Sequence, residues 1–325
     1  MRDLAARSRT ATLPGHPAPE GDTRIRTNLP HLLSLEARSR ALSFLPRQPA
    51  RSVLNGRHAS RLRGRGLSFE ELRGYLPGDD VRSIDWKVTA RTGEPYVRVM
   101  TEERDRPALI VVDQRMSMFF GSRLNMKSVT AAEAAALTAF RILDQGDRVG
   151  GIVFGDATLA EIRPQRSRAA LRRFLTAIAD ANGLLSADAP AVEAMPLSRI
   201  LRATARIAPK NHLVIVLSDF DGVDDEAERL VSGLARRNDL ILGLVTDPMA
   251  HDLPEGLRLV VSDGTLQAEI DTGDKARHRA LSEMAEGRLA TVLDWQRKYG
   301  PPVLPLSTGE ETLPQMRRLM GLGPR

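Results

Sequence analysis

A chain of 325 residues is long enough for one large domain, or for a small domain beside a medium one. Hydrophobic residues at 42% and charged residues at 27% are ordinary for a globular protein, while aromatics at 4% leave the core to Leu, Val, Ile and Ala. The absence of cysteine excludes disulfides, thiolate metal sites and cysteine nucleophiles, and the net charge of +6 gathers early: residues 1–104 hold 19 basic and 12 acidic residues, the remainder 28 and 29.

Residues 1–27 mix Pro, Gly, Arg and Ala without periodicity, and the expectation is a disordered tail. A basic helical and loop region is expected over 28–106. Asn28 is placed to cap a helix with Pro30 in its first turn. Leu29, Leu32, Leu33, Leu35, Ala41, Leu42 and Leu45 keep a helical stripe that Pro46 and Pro49 end. Between Ala37 and Phe69 stand eight arginines and no acid, a cluster suited to an acidic partner surface, to phosphates or to a disordered basic arm. Ser68-Phe-Glu-Glu71 has the pattern of a capping box opening a short helix. Tyr96-Val-Arg-Val-Met100 alternates like a strand.

From residue 107 to 325 the pattern is that of one domain. Residues 108–113 and 212–217 are wholly apolar strands up to their ends. Residues 127–143 form an Ala-rich helix, 148–154 and 158–162 two short strands about a Gly155-Asp156 turn, and 167–180 and 197–208 amphipathic helices. Then follow a helix at 224–237, strands at 240–245 and 258–261, a long helix at 275–299 and a strand at 303–306. Thr308-Gly-Glu-Glu311 is placed to cap the last helix. Apolar strands alternating with helices predict an α/β fold, a doubly wound and mostly parallel sheet with an antiparallel edge. No apolar run approaches the roughly 20 residues that cross a bilayer, and no secretory signal is visible, so a cytoplasmic protein is expected.

In such a sheet, ligands gather at the carboxyl ends of the strands, near the switch in strand order. Two strands end in acid: Val112-Asp113-Gln-Arg-Met-Ser117 and Leu217-Ser218-Asp219-Phe-Asp221. If those strands are neighbours, Asp113 and Asp219 face one crevice. Carboxylates with hydroxyls suit a hard cation such as Mg²⁺. The plainer reading has both aspartates capping the helices that follow. A strand ending in Asp-x-Ser-x-Ser, with a later Thr and a later Asp, resembles the metal-ion-dependent adhesion site of von Willebrand factor A domains. Here Asp113, Ser117 and Asp219 match, Arg115 takes the place of the middle serine, and the threonine is expected near Gln165 to Ser167, where none stands. A guanidinium beside two carboxylates pairs with them and repels a divalent ion, so the implied Mg²⁺ is held weakly or not at all.

The stretch Gly64-Arg-Gly-Leu-Ser-Phe-Glu-Glu-Leu-Arg-Gly-Tyr-Leu-Pro-Gly-Asp-Asp-Val-Arg-Ser-Ile-Asp-Trp86, followed by Ala90-Arg91, resembles the signature of the bacterial family called domain of unknown function fifty-eight. That resemblance implies a von Willebrand factor A-like domain after the signature. Within it, Pro77-Gly78 makes a turn whose amides Asp79 and Asp80 can cap, and Arg73, Arg82 and Arg91 are available to Asp79, Asp80 and Asp85. Tyr75 and Trp86 are expected as packing anchors. A charged structural clamp is favoured over a ligand site.

The resemblance further implies a partner, a MoxR-type AAA+ ATPase, and a protein-binding adaptor in chaperone-like assembly of other complexes. A metal-assisted hydrolase at Asp113 and Asp219 is the competing reading. Against it, the chain has no phosphate loop, no nucleophile elbow and no His-Glu-x-x-His, and its histidines, at 16, 31, 58, 212, 251 and 278, are scattered. Nucleic-acid binding through the Arg-rich stretch is a third reading, unfavoured because aromatic interleaving is missing.

Overall fold

The computed structural model describes residues 22–42, 67–102, 107–186, 193–250, 258–262, 267–271 and 275–321. They fall into two compact units, one within Leu45–Arg106 and one drawn from Met1–Phe44 and Pro107–Arg325.

The larger unit begins before the first predicted helix. Met126 N–H donates to the Arg24 carbonyl, Arg26 Nε to the Leu185 carbonyl and Thr27 N–H to Asn182 Oδ1. Asp22 to Thr27 are therefore tied down, where the sequence suggested a tail to residue 27, because backbone groups there find partners on the body. Asn28 caps helix α1 (Leu29–Ser34) by accepting from His31 N–H, with Pro30 in the first turn. The expected single helix is two short ones, α1 and α2 (Glu36–Ser39), broken at Leu35. Both pack within the larger unit, against α4 (Lys127–Asp144), because Leu32, Leu35 and Leu42 join its core. Most of the Arg-rich stretch lies outside the described residues.

The smaller unit is an antiparallel pair, β1 (Leu67–Gly74) and β2 (Tyr96–Glu102), joined through helix α3 (Trp86–Thr92). The capping-box reading of Ser68–Glu71 is corrected: those residues are strand. The local pattern fits a helix start, but β2 supplies a full ladder of cross-strand partners and a bulge between Phe69 and Glu71.

The body of the larger unit follows the predicted alternation: β3 (Ala108–Asp113), α4 (Lys127–Asp144), β4 (Val149–Phe154), β5 (Leu159–Gln165), α5 (Arg168–Gly183), α6 (Leu197–Ile207), β6 (Leu213–Ser218), α7 (Asp225–Arg237) and β7 (Asp239–Thr246). A separate hairpin of β8 (Arg258–Ser262) and β9 (Gln267–Asp271) follows, the second strand absent from the sequence reading. Helix α8 (Lys275–Tyr299), strand β10 (Val303–Ser307) and helix α9 (Thr312–Leu319) complete it. Among the described residues, no helix is long and apolar enough to cross a membrane.

The main sheet has the order β10-β7-β6-β3-β4-β5, parallel except for the β5 edge. This is the doubly wound sheet expected from the alternation. Every residue of β3 and β4 is buried, as strands covered on both faces must be. One face packs on α4 and α5, the other on α6, α7 and α8. Small side chains let α4 lie close: Ala131, Ala132, Ala134, Ala135, Ala136 and Ala139 are all inaccessible. Helix α6 buries Leu197, Ile200, Leu201 and Thr204, the helical repeat of one apolar face, at about 1.5–3 kcal/mol for each Leu or Ile. Gly151 has a steric reason, since a Cβ there would stand 2.0 Å from Phe174 Cε2.

Candidate functional site

The chain leaves β3 for β4 and β5 on one side, then returns to β6 and β7 on the other. The switch in strand order therefore lies between β3 and β6, and Val112 is in register with Leu217. Asp113 and Ser218 follow as neighbours, and Ser218 Oγ donates to Asp113 Oδ2 at 2.6 Å. Asp219 is next in the chain. The topology thus brings both predicted carboxylates to one crevice, Asp113 fully inaccessible and Asp219 only 3% exposed.

Two cations fill the crevice with them. Arg115, itself 3% exposed, turns back on Asp113: Nη2 donates to Oδ2 at 2.8 Å, Nε to Oδ1 at 3.1 Å, and the Arg115 N–H to Oδ1 at 2.9 Å. Its remaining donors reach the Met195 and Asp221 carbonyls at 3.2 Å each, and the guanidinium carbon lies 5.5 Å from the Phe154 ring centroid. Lys127, the first residue of α4, places Nζ 2.7 Å from Asp219 Oδ2. Asp219 Oδ1 accepts from Ser117 Oγ at 3.3 Å and from Asp221 N–H at 3.1 Å. Arg288, from α8, stands 3.2 Å from Asp221 Oδ1 and 3.8 Å from Asp219 Oδ2.

The electrostatics follow from burial and pairing. Burial raises the Asp113 carboxyl above its ordinary value, against the opposing pull of Arg115 and Ser218. Burial pushes Asp219 the same way, but Lys127 first and then Arg115 outweigh it, and Asp219 is held low. For Arg115, burial acts to lower the pKa, but Asp113, then Asp219 and Asp221, hold it above its ordinary value, so it stays charged. Three acids and three bases face one another: Asp113, Asp219 and Asp221 against Arg115, Lys127 and Arg288.

A divalent cation needs carboxylate lone pairs directed at one point and a negative surround. Here each oxygen of Asp113 and Asp219 already accepts from an N–H or O–H, and two buried cations lie within the crevice. The donor set does not fit a divalent ion.

The loop after β3 is held from several directions. Gln114 Nε2 donates to the Ser128 carbonyl and Asn182 Nδ2 to Gln114 Oε1, at 3.0 and 2.8 Å. Met116 N–H donates to Asp156 Oδ2 at 2.8 Å. After Asp219, Phe220 adopts φ +54°, fully buried, and meets the Trp295 ring edge-on at 6.2 Å. Another buried carboxylate, Asp247 past β7, accepts from Ser122 N–H at 2.8 Å, from Met249 N–H at 2.9 Å and from the Ser122 and Thr308 hydroxyls. Thr308 is thus committed to Asp247 rather than to capping α9, whose first turn has no side-chain cap.

Gln165 to Ser167, where the threonine position was expected, are not at the crevice. Gln165 pairs with Val149 at the start of β4, the opposite end of the parallel strands, and Ser167 caps α5. Lys127 and Arg288 escaped the sequence reading. Lys127 left one trace, as the only cation in an otherwise small and apolar helix start.

The signature residues belong to the smaller unit. Arg73 pairs bidentately with Asp79 at 2.7 and 2.8 Å, and Asp79 also accepts from Leu76 N–H. Gly78 has φ +106°, a conformation that favours glycine. Asp80 caps the turn Val81–Ser83, and Asp85 caps α3 through Lys87 and Val88 N–H. Tyr75 N–H donates to the Pro95 carbonyl. Trp86 is 66% exposed, and Arg82 and Arg91 make no ion pair with any described residue, although pairing with the aspartates and packing of the indole were expected. The reason is local: the aspartates are spent on backbone N–H groups and on Arg73.

The uncharacterized protein Rv1480 of Mycobacterium tuberculosis (strain ATCC 25618 / H37Rv) is 30% identical over 287 residues, spanning 88% of this chain and 89% of that one. The uncharacterized protein Mb1516 of Mycobacterium bovis matches to the same extent. Among solved structures, a conserved hypothetical protein BatB from Bacteroides thetaiotaomicron is 14% identical, with a TM-score of 0.42 over 66% of this chain and 95% of that one. A von Willebrand factor type A protein from Catenulispora acidiphila is 13% identical, with a TM-score of 0.31 over 60% and 45%. The model of the family described as "Protein of unknown function DUF58" matches residues 71–289, and this chain belongs to that family.

Proposed function

We propose that the protein is a non-enzymatic, protein-binding adaptor that works with a MoxR-type AAA+ ATPase in the chaperone-like assembly or activation of other protein complexes. In this reading Arg115 and Lys127 stand where a von Willebrand factor A domain holds its metal, and the protein needs no ion to keep its crevice in shape.

The observation that carries the reading is the closure of the crevice. The switch point of the sheet is where an α/β enzyme keeps its reacting groups. Here both carboxylates are covered by ion pairs with Arg115 and Lys127, and Arg115 is held charged by Asp113. A metal-assisted hydrolase needs free oxygen ligands and an open coordination position. What remains is a rigid, internally neutralised framework suited to presenting surface to another protein.

The test is recovery of the tagged protein from its native host, once in Mg²⁺ and once in EDTA. A MoxR-type ATPase is expected in both. Its absence from both would sink the adaptor reading. Calorimetry with Mg²⁺ and Mn²⁺ on the purified protein should give no micromolar binding; binding that Asp113→Ala abolishes would refute the substitution of cations for metal.

A further inference from the structure

The geometry points to the signature segment as a docking surface, with Leu76, Val81 and Trp86 set among Arg82, Lys87 and Arg91, that receives an acidic protein segment carrying apolar anchors. This rests on the adaptor reading and names where its partner sits.

Large apolar side chains in the open are concentrated here. Leu76, Val81 and Trp86 are 61%, 55% and 66% exposed, and Leu72 is exposed on β1. Among the described residues of the larger unit, the exposed large apolar side chains, Leu159, Leu184 and Leu293, are scattered along the chain. Isolated exposed residues need no explanation, but several within 15 residues do. Tryptophan in particular is costly to leave in water and is enriched where partners bind.

The charges around it point outward for a structural reason. Three acids and three bases occupy residues 79–91, so the segment looks neutral in sequence. In the fold each acid is engaged locally: Asp79 on Arg73 and Leu76 N–H, Asp80, itself exposed, on Arg82 N–H, and the buried Asp85 on two α3 N–H groups. Arg82, Lys87 and Arg91 are exposed and make no ion pair or side-chain hydrogen bond with any described residue. On α3 residues 86, 87, 90, 91 and 92 are exposed; Lys87 and Arg91, at i and i+4, stand one turn apart on a common face, and Trp86 opens the same exposed stretch.

Unpaired cations around an aromatic anchor match a carboxylate-bearing protein surface, with the indole entering an apolar site and the cations meeting the acids at its rim. An anionic membrane is the rival occupant. It suits long helices of large amphipathic moment, whereas α3 has seven residues.

The test uses the full chain with Trp86 as reporter, because Trp295, the only other tryptophan, is 1% exposed and silent to quencher. The probe is a synthetic amphipathic peptide with glutamates on one face and leucines on the other, beside its lysine-for-glutamate counterpart and equimolar phosphatidylglycerol/phosphatidylcholine vesicles. The acidic peptide is expected to shift Trp86 emission to the blue and protect it from acrylamide. Reversing the cations together (Arg82→Glu, Lys87→Glu, Arg91→Glu) should weaken binding at least about 30-fold, the level of an interface hot spot. Their exposure leaves the urea midpoint unchanged, which checks folding. No response to the acidic peptide, an equal response to the basic one, or a response to vesicles alone overturns the proposal. Co-purification separates the two readings: an ATPase absent with the natural protein defeats the adaptor reading, whereas one retained by the charge-reversed variant defeats this surface alone.

Discussion

Replacing Arg115 by methionine tests whether the crevice is held by its buried cation. The variant keeps the volume of the side chain's stem but leaves Asp113, fully inaccessible, with only Ser218 Oγ and the residue-115 N–H as donors. Breaking one partner out of a buried pair costs roughly 3–5 kcal/mol. A second route to the number agrees. If Asp113 escapes by taking up a proton at pH 7, an ordinary carboxyl near pKa 3.9 must be neutralised about three units above it, which costs about 4 kcal/mol at 1.36 kcal/mol per unit. The same step costs only about 1.5 kcal/mol at pH 5, so the deficit should shrink on acidification. Urea unfolding followed by Trp295 emission reads this directly, since the ring is buried against Phe220. With a slope of roughly 2–3 kcal/mol per molar, the midpoint should fall by about 1–2 M at pH 7. Adding Asp113→Asn should restore at least half of the loss, because the uncompensated charge is then gone. A loss below about 1 kcal/mol, a pH-independent loss, or additive single variants would refute the reasoning.

Two further outcomes follow from the structure. Gly151→Ala would drive a Cβ to 2.0 Å from the buried Phe174 ring, and overpacking of that kind costs about 1–3 kcal/mol; calorimetric scanning should show Tm lower by about 3–10 °C, and a rise would contradict the packing described. Asp247 is held below its ordinary pKa: burial pushes it up, but the Ser122 and Thr308 hydroxyls and the amides of Ser122 and Met249 outweigh that. A depressed carboxylate contributes stability that is present above its unfolded value near 3.8 and lost as pH falls through its lower folded value. Asp247→Asn should therefore destabilise at pH 7 and flatten stability against pH below about 4, measured by urea midpoints; an unchanged acid limb would show that Asp247 carries none of it.

The strand runs Ala108–Asp113 and Leu213–Ser218 were legible because burial on both faces demands unbroken apolar residues, a property of each strand alone. The alternation with helices then restricted the sheet to a doubly wound parallel one. The acids at both strand ends marked the crevice for the same local reason. Residues 68–71 misled because a capping-box pattern is also local, whereas the β2 ladder that overrides it comes from residues some 30 positions on. Lys127 and Asp219 are 92 residues apart, and Arg288 comes from a different helix, later in the chain than both, so no periodicity could reveal their meeting. Trp86 looked like a packing anchor because sequence gives size and polarity but not the direction a side chain faces. Composition and period determined the layers of this protein; which charges neutralise one another, and which are left facing water, was decided only when the folded chain brought distant donors to the few acceptors available.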